Sequence, residues 1–246
     1  GEPDMTINGI DIAEYGAVQL TVDMTAPSEG CPAEWPENAM VPRSWIVTQK
    51  FGTLNVTLLF RGAERDEIIR AAGALIMPLC RRAVLTLDGY DGEFIVFYNG
   101  GGAPEKVKGT KTRYTMSIDC KYYRRDTERV MTAVGGASIM LFGAGTRPAP
   151  AVLELTASAD IAGLTVAGLP GGDITVSELY AGETLIIDGE AGTATVDGAN
   201  AFARVELWQF PAVLPGKNHT LTFTADEAGE TLPLTATLRY HPMLLM

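Results

Sequence analysis

Phe210-Pro211-Ala212-Val213-Leu214-Pro215-Gly216-Lys217-Asn218-His219-Thr220-Leu221-Thr222-Phe223 is the stretch that decides the reading of this chain: strand, sharp turn, second strand. Pro215 presets its own φ and Gly216 accepts a positive φ, which suits the two central positions of a type II turn. Beyond the turn, Leu221 and Phe223 alternate with Thr220, Thr222 and Thr224, the period of a strand with one buried face. Just upstream, Leu185-Ile186-Ile187-Asp188 and Ala194–Asn200 read as another hairpin. The spacing extends both ways: strands are expected at Ala151–Ala157, Asp173–Leu179, Thr184–Asp188, Gly192–Val196, Phe202–Phe210, His219–Ala225 and Leu232–His241, with Gly, Asp and Asn between them. Short strands at that spacing predict a β-sandwich.

Upstream of the sandwich the pattern breaks at Gly143–Pro150, where small residues and two prolines interrupt the apolar runs. This divides the chain into an N-terminal domain over 1–142, a linker over 143–150 and a C-terminal sandwich over 151–246. In the first domain, Met5–Asn8 and Val18–Met24 read as strands, with Val18, Leu20, Val22 and Met24 on one apolar face. The pattern then gives way over Thr25–Ser44 to a Pro-rich loop containing Trp35 and Met40. Loops this long are usually functional or disordered, so Trp35 ranks equally as a partner contact and as packing on its own domain. Strands are expected at Trp45–Lys50 and Leu54–Phe60. One helix follows from Glu64: Ile68, Ile69, Ala72, Leu75, Ile76 and Leu79 fall at helical spacing, and Pro78 ends or kinks it near Met77. Ala83–Asp88 and Gly92–Tyr98 read as paired strands. A flexible Asn99–Pro104 loop leads into a strand pattern over Lys106–Tyr123. The first half is mainly β with a single helix.

The chain has 246 residues, 46% of them hydrophobic and 20% charged, enough to bury two cores. No apolar run reaches the length of a membrane span, and no basic start followed by an apolar stretch argues for a signal peptide. Cys31, Cys80 and Cys120 are odd in number and widely spaced, which favours free thiols over a disulfide framework or a zinc site. The formal net charge of −11 disfavours a nucleic-acid binder. That charge is uneven: residues 1–150 carry 16 Lys and Arg against 18 Asp and Glu, whereas residues 151–246 carry 3 against 12.

No catalytic, cofactor or metal signature stands out. His219 and His241 are the only histidines, neither Gly-x-Ser-x-Gly nor His-Glu-x-x-His occurs, and Asp88–Glu93 lacks EF-hand spacing and reads as a turn. His219 reads as a strand-face or turn histidine. Glu154, Glu178, Glu183 and Glu206 cannot be assigned as a glycosidase pair, because carboxyl separation defines that chemistry. Lys106, Lys108, Lys111, Arg113, Lys121, Arg124 and Arg125 form the only basic stretch. A solvated face ranks first for it, a charged subunit contact second and nucleic-acid binding a distant third. Trp208 shares strand parity with Arg204 and Glu206, an arrangement that offers a platform for a sugar ring, as a minority reading.

In Leu185–Asp188, Thr195–Asn200, Phe210-Pro211, Leu214–Asn218 and Leu238–Pro242, the C-terminal half resembles the closing part of the galectin-like domain of siphophage distal tail proteins (Dit). The N-terminal half is similar in arrangement: Ile7-Asn8-Gly9, a long loop, Val56–Phe60, the helix and paired strands. Asp119–Tyr123 stands where the family often has Asp-Pro. The resemblance implies a mainly β protein without cofactor or catalysis, at the tail tip of a virion and assembled in the bacterial cytoplasm. It implies a hexameric ring of N-terminal domains with galectin-like domains projecting outward. The implied partners are the tail tube, the tape-measure and tail-associated baseplate proteins, and receptor-binding proteins. Ring closure needs one patch to meet a different one. Candidates for that contact are the Thr25–Ser44 loop with Trp35 and Met40, and the Asn99–Lys108 loop with Lys106 and Lys108. The rival is a carbohydrate-binding module or cell-surface adhesin using Trp208, Arg204 and Glu206.

Overall fold

Asn8 and Gly9 open the fold with a turn that their chemistry selects. With φ of 51° and 80° they form the left-handed pair of a type I′ hairpin, joining β1 (Met5–Ile7) to β2 (Ile10–Asp11). Asn8 also docks the hairpin: its backbone donates to Val84 C=O, and its side-chain oxygen accepts from Val84 N–H at 2.9 Å.

The computed structural model describes residues 5–26, 50–226 and 231–244, with the backbone of 33–34 and 43–44. Trp35, Met40, Cys31 and the expected Trp45 strand lie outside the described residues. The chain divides into two compact units between Arg125 and Asp126.

The first unit continues with β3 (Ala17–Thr25), the short ladder of β4 (Ala33–Glu34) and β5 (Arg43–Ser44), and β6 (Gly52–Arg61). Then come α1 (Arg65–Ile76), β7 (Ala83–Leu87), β8 (Glu93–Gly101), β9 (Glu105–Lys106) and β10 (Arg113–Arg125). The strands run in the order β2-β1-β7-β8-β10-β6-β3, all antiparallel, with β9 folded onto β10. Alternate residues of β6 (Leu54, Val56, Leu58, Phe60) and β10 (Tyr114, Met116, Ile118, Cys120, Tyr122) are buried on one face. Ile68, Ala72 and Leu75 of α1 join that core, as does Leu79 of the 3₁₀ turn that follows. Ile69 stays 47% exposed on the other side of the helix. The helix ends at Ile76 and Pro78 sits in the 3₁₀ turn, as expected of a residue without an N–H.

Three local expectations change here. The apolar parity expected through Val18 to Met24 breaks at a bulge between Gln19 and Thr21, which leaves Leu20 48% exposed while Val22 and Met24 pack on the core. Asn99–Gly101, expected in a loop, continues β8, because a Cβ on Gly101 would sit 2.6 Å from the Ser117 carbonyl oxygen and only glycine lets the strands close. Lys106–Tyr123 is not one strand: Val107–Thr112 turns back, with Val107 N–H donating to Arg113 C=O, and separates β9 from β10.

The second unit begins with β11 (Arg129–Val134) and β12 (Ile139–Phe142), followed by β13 (Ala149–Ala157), β14 (Ile161–Ala167) and β15 (Ile174–Leu179). β16 (Thr184–Asp188), β17 (Thr193–Val196), β18 (Ala199–Asn200) and β19 (Val205–Glu206) follow. It closes with β20 (Ala212–Val213), β21 (Asn218–Thr224), β22 (Leu234–Tyr240) and β23 (Met243–Leu244). One sheet runs β11-β22-β13-β16-β17-β18 and the other β12-β21-β14-β15-β19, and their inner residues form a single core. This is the expected sandwich. The residues of β11 and β12 fall inside the expected 1–142 domain, where no strand was expected of them, but they pair with β22 and β21 of the second unit, so 143–150 connects two of its strands.

The opening stretch keeps its turn but not its pairing. Gly216 has a φ of 67°, as the third position of a type II turn requires. Yet β20 pairs with β13 and β21 with β12 and β14, so the Pro215-Gly216 turn carries the chain from one sheet to the other. His219 is buried beside the turn, where the Leu214 N–H donates to its Nε2 at 3.1 Å. β14, not expected from the pattern, is interrupted at Gly163 (φ 61°), where its ladder with β15 skips one pair without a change of register, and Ile161, Leu164 and Val166 lose simple alternation. The expected Phe202–Phe210 strand is a 3₁₀ turn at Phe202–Arg204 and two residues of strand. The Asn200 side chain accepts the Phe202 N–H and starts that turn.

Candidate interaction surfaces

Arg204, expected beside Trp208, is drawn the other way by charge. Leaving the 3₁₀ turn, its Nη1 pairs with Glu183 Oε2 at 2.8 Å and its Nε lies 3.8 Å from Glu178 Oε1. The guanidinium stands 5.3 Å from the Tyr180 ring centroid. Tyr180 donates its hydroxyl to Glu178 at 2.8 Å, and this bond to a carboxylate raises the phenol above its ordinary range. Next to this cluster is a cavity of about 300 Å³ lined by Asp160, Ile161, Glu178, Tyr180, Leu232 and Pro233. Glu178 and Glu183 are therefore committed to Tyr180 and Arg204. Glu206 is exposed on β19, and Trp208 is 91% exposed in the bend that follows. The structure brings Arg204 to Tyr180 and the glutamates, and records no contact joining Arg204, Glu206 and Trp208.

In the first unit, Lys106, Lys108, Lys111 and Arg113 are exposed along the β9–β10 hairpin. Arg125 is instead held by Glu93 at 2.7 Å, and Arg124 donates to the Asp91 backbone. The face of β10 that carries Arg113 is also hydroxyl-rich and paired: Asn55 donates to Asp119, and Thr57 bonds Ser117. Cys120 lies beneath that face, where burial, with a smaller contribution from the Asp119 charge, pushes its thiol up to about 12. Among the described residues no group of His, Cys, Asp and Glu could hold a metal ion, and no helix is long and apolar enough to cross a membrane.

One surface was not anticipated. Val130 and Val134 of β11 are 57% and 69% exposed, and Met140 and Phe142 of β12 are 78% and 61% exposed. Their signal in the sequence is an absence, since residues 130–146 contain no charge and no proline.

Residues 144–242 match the family model for the C-terminal domain of the siphovirus-type tail component, Dit. Over this stretch the chain is similar to the Dit family. The Dit protein of phage SPP1, described as a paradigm of the hub adsorption apparatus in phages infecting Gram-positive bacteria, is similar in fold over 98% of both chains. The TM-score is 0.73 at 12% identity. A chain of the phage p2 baseplate in its activated conformation with Ca matches over 94% of this chain and 92% of that one, with a TM-score of 0.55 at 10% identity. The p2 baseplate with Sr gives 93% and 92%, 0.51 and 9%. No functionally curated protein matches. The Dit fold thus accounts for both units, with the family's C-terminal domain falling within the second.

Proposed function

We propose that this chain is a structural component of a phage tail tip: a hub that closes into a hexameric ring and joins the tail tube to the host-adsorption components. The observation that carries this reading is the likeness to SPP1 Dit across 98% of both chains, reinforced by the family match over 144–242. In this reading the first unit makes the ring and the second projects toward receptor-binding and tail-associated baseplate proteins. The tape-measure protein and the tube are its axial neighbours. It works in the virion after assembly in the bacterial cytoplasm, by binding rather than by catalysis, and without a cofactor.

A ring requires a heterologous contact. The exposed Lys106 and Lys108 on the hairpin support one side of it, and Trp35 and Met40 remain candidates for the same role. Native mass spectrometry of the full chain tests this reading. A hexamer is expected, and its loss on reversing both lysines to glutamate would assign the hairpin to the interface. A chain that stays monomeric even with its neighbouring tail proteins sinks the ring.

Trp208 is the observation that favours a second role, in carbohydrate binding, because a tryptophan this exposed is a common anchor for a ligand. A glycan screen comparing the native chain with Trp208→Ala decides it. Retention of a glycan by the native chain alone supports the platform, and retention by neither removes it.

A further inference from the structure

One rim of the second unit, where β12 ends one sheet and β11 ends the other, is built to accept a strand. Gly143 N–H donates to Lys217 C=O, and Gly216 N–H donates to Gly143 C=O, both at 2.8 Å, so Gly143 faces β21. Residues of an antiparallel ladder face alternate sides, so Leu141 and Ile139, opposite His219 and Leu221, face β21 as well. The N–H and C=O groups of Met140 and Phe142 therefore point off the edge, where no strand pairs with them among the described residues. Their side chains are the exposed pair noted above. Edges of this kind are ordinarily blunted by lysine, proline or a bulge, and residues 130–146 contain neither charge nor proline.

Beside the edge runs a groove of about 530 Å³ lined by Met131, Met140, Phe142, Gly145, Tyr240 and Arg129, among others. Its glycine side is fixed in place: Ala144 N–H donates to the Tyr240 hydroxyl at 3.1 Å. Arg129 is the groove's single charged residue, exposed and without an ion pair among the described residues.

We propose that this rim is the docking edge for an extended segment of another tail-tip protein. The segment adds as a strand along β12, lays alternate apolar side chains beside Met140 and Phe142, and sets an acidic residue against Arg129. Charge decides between a partner and a second copy. Antiparallel pairing of β12 with itself would bring a run that holds no carboxylate, and Arg129 would go unanswered. The inference rests on the assembly reading only for the source of the segment.

The test is random-peptide display against the full chain, followed by fluorescence anisotropy on the synthesised selected peptides. Met140→Pro removes an N–H that faces off the edge and leaves the bonds to β21 in place, a position where edge strands tolerate proline. Phe142→Lys charges the same edge without touching the backbone, and thermal melts verify the fold of both. Selected peptides should alternate apolar residues and carry Asp or Glu toward one end. Their affinity should fall about tenfold or more on either substitution, the loss of an anchor worth at least ~1.4 kcal/mol. Arg129→Glu should turn the selection toward Lys or Arg. Absence of enrichment, equal binding by the folded variants, or loss of self-association in place of peptide binding would each overturn the proposal, the last by making a second copy the occupant. A chain that binds these peptides yet never forms a hexamer fails the assembly reading and leaves the docking edge standing.

Discussion

A Cβ on Gly143 would lie 2.0 Å from the carbonyl oxygen of Leu214, closer than any side chain can sit, and the two segments are already joined through Gly216 and Lys217. Gly143→Ala must therefore push the turn away from β12, and urea unfolding should register a loss of about 1–3 kcal/mol. Nothing in the local sequence announces this. Gly143 stood out only as a small residue near two prolines, and its constraint comes from a partner seventy residues on. Cys120 is a second residue whose state is set by its surroundings. A thiol raised to about 12 in the folded chain and ordinary when unfolded, near ~8.5, supports folding below that lower value. The contribution is lost as pH rises from there through the folded pKa. Stability followed from pH 8 upward should thus fall less steeply in Cys120→Ala than in the native chain. At pH 8, mass mapping after brief alkylation should find Cys80, which is exposed, modified ahead of buried Cys120.

At the scale of the element, legibility followed the range of the interactions. The helix was readable because its apolar spacing, its acidic first turn and Pro78 are all local, and the structure ends it where the proline dictates. Its two isoleucines separate cleanly: Ile68 is in the core and Ile69 is 47% exposed. Ile68→Ala should cost about 2–5 kcal/mol by chemical denaturation, and Ile69→Ala no more than ~0.5. The stretch Ala194–Asn200, expected as one arm of a hairpin, instead turns at Asp197-Gly198, where both residues take positive φ, 47° and 82°, and close β17 on β18. Bulges were not legible. Leu20 adds one residue to β3, and the added residue reverses the face of everything beyond it. Strand parity misplaced Arg204 beside Trp208 because Arg204 sits in a 3₁₀ turn, where that parity does not apply.

For the whole molecule, the position of the division between units was decided by pairing rather than by composition. Gly143–Pro150 resembles a linker in every local respect, but β11 and β12 lie before it and supply one edge to each sheet of the sandwich. A fragment over 126–244 should unfold as one cooperative transition near that of the full chain's second unit. A fragment over 151–246 loses both edge strands, bares the flanks of β21 and β22, and should melt several degrees lower or aggregate, as read by calorimetry and light scattering. Charge is the molecular property that composition already disclosed, because ionised groups remain at the surface wherever the chain goes. The sequence by itself determined the mainly β class, the single helix, the turn residues and the acidic character of the C-terminal half, since propensity, turn chemistry and charge act over a few residues. Only the tertiary structure decided that the Pro215-Gly216 turn crosses between sheets, that Arg204 pairs with Tyr180 and two glutamates, and that β12 is an edge with no outer partner strand among the described residues. Each of these depends on which distant strand lies alongside, and hydrogen-bond pairing between strands leaves no periodic trace in either one.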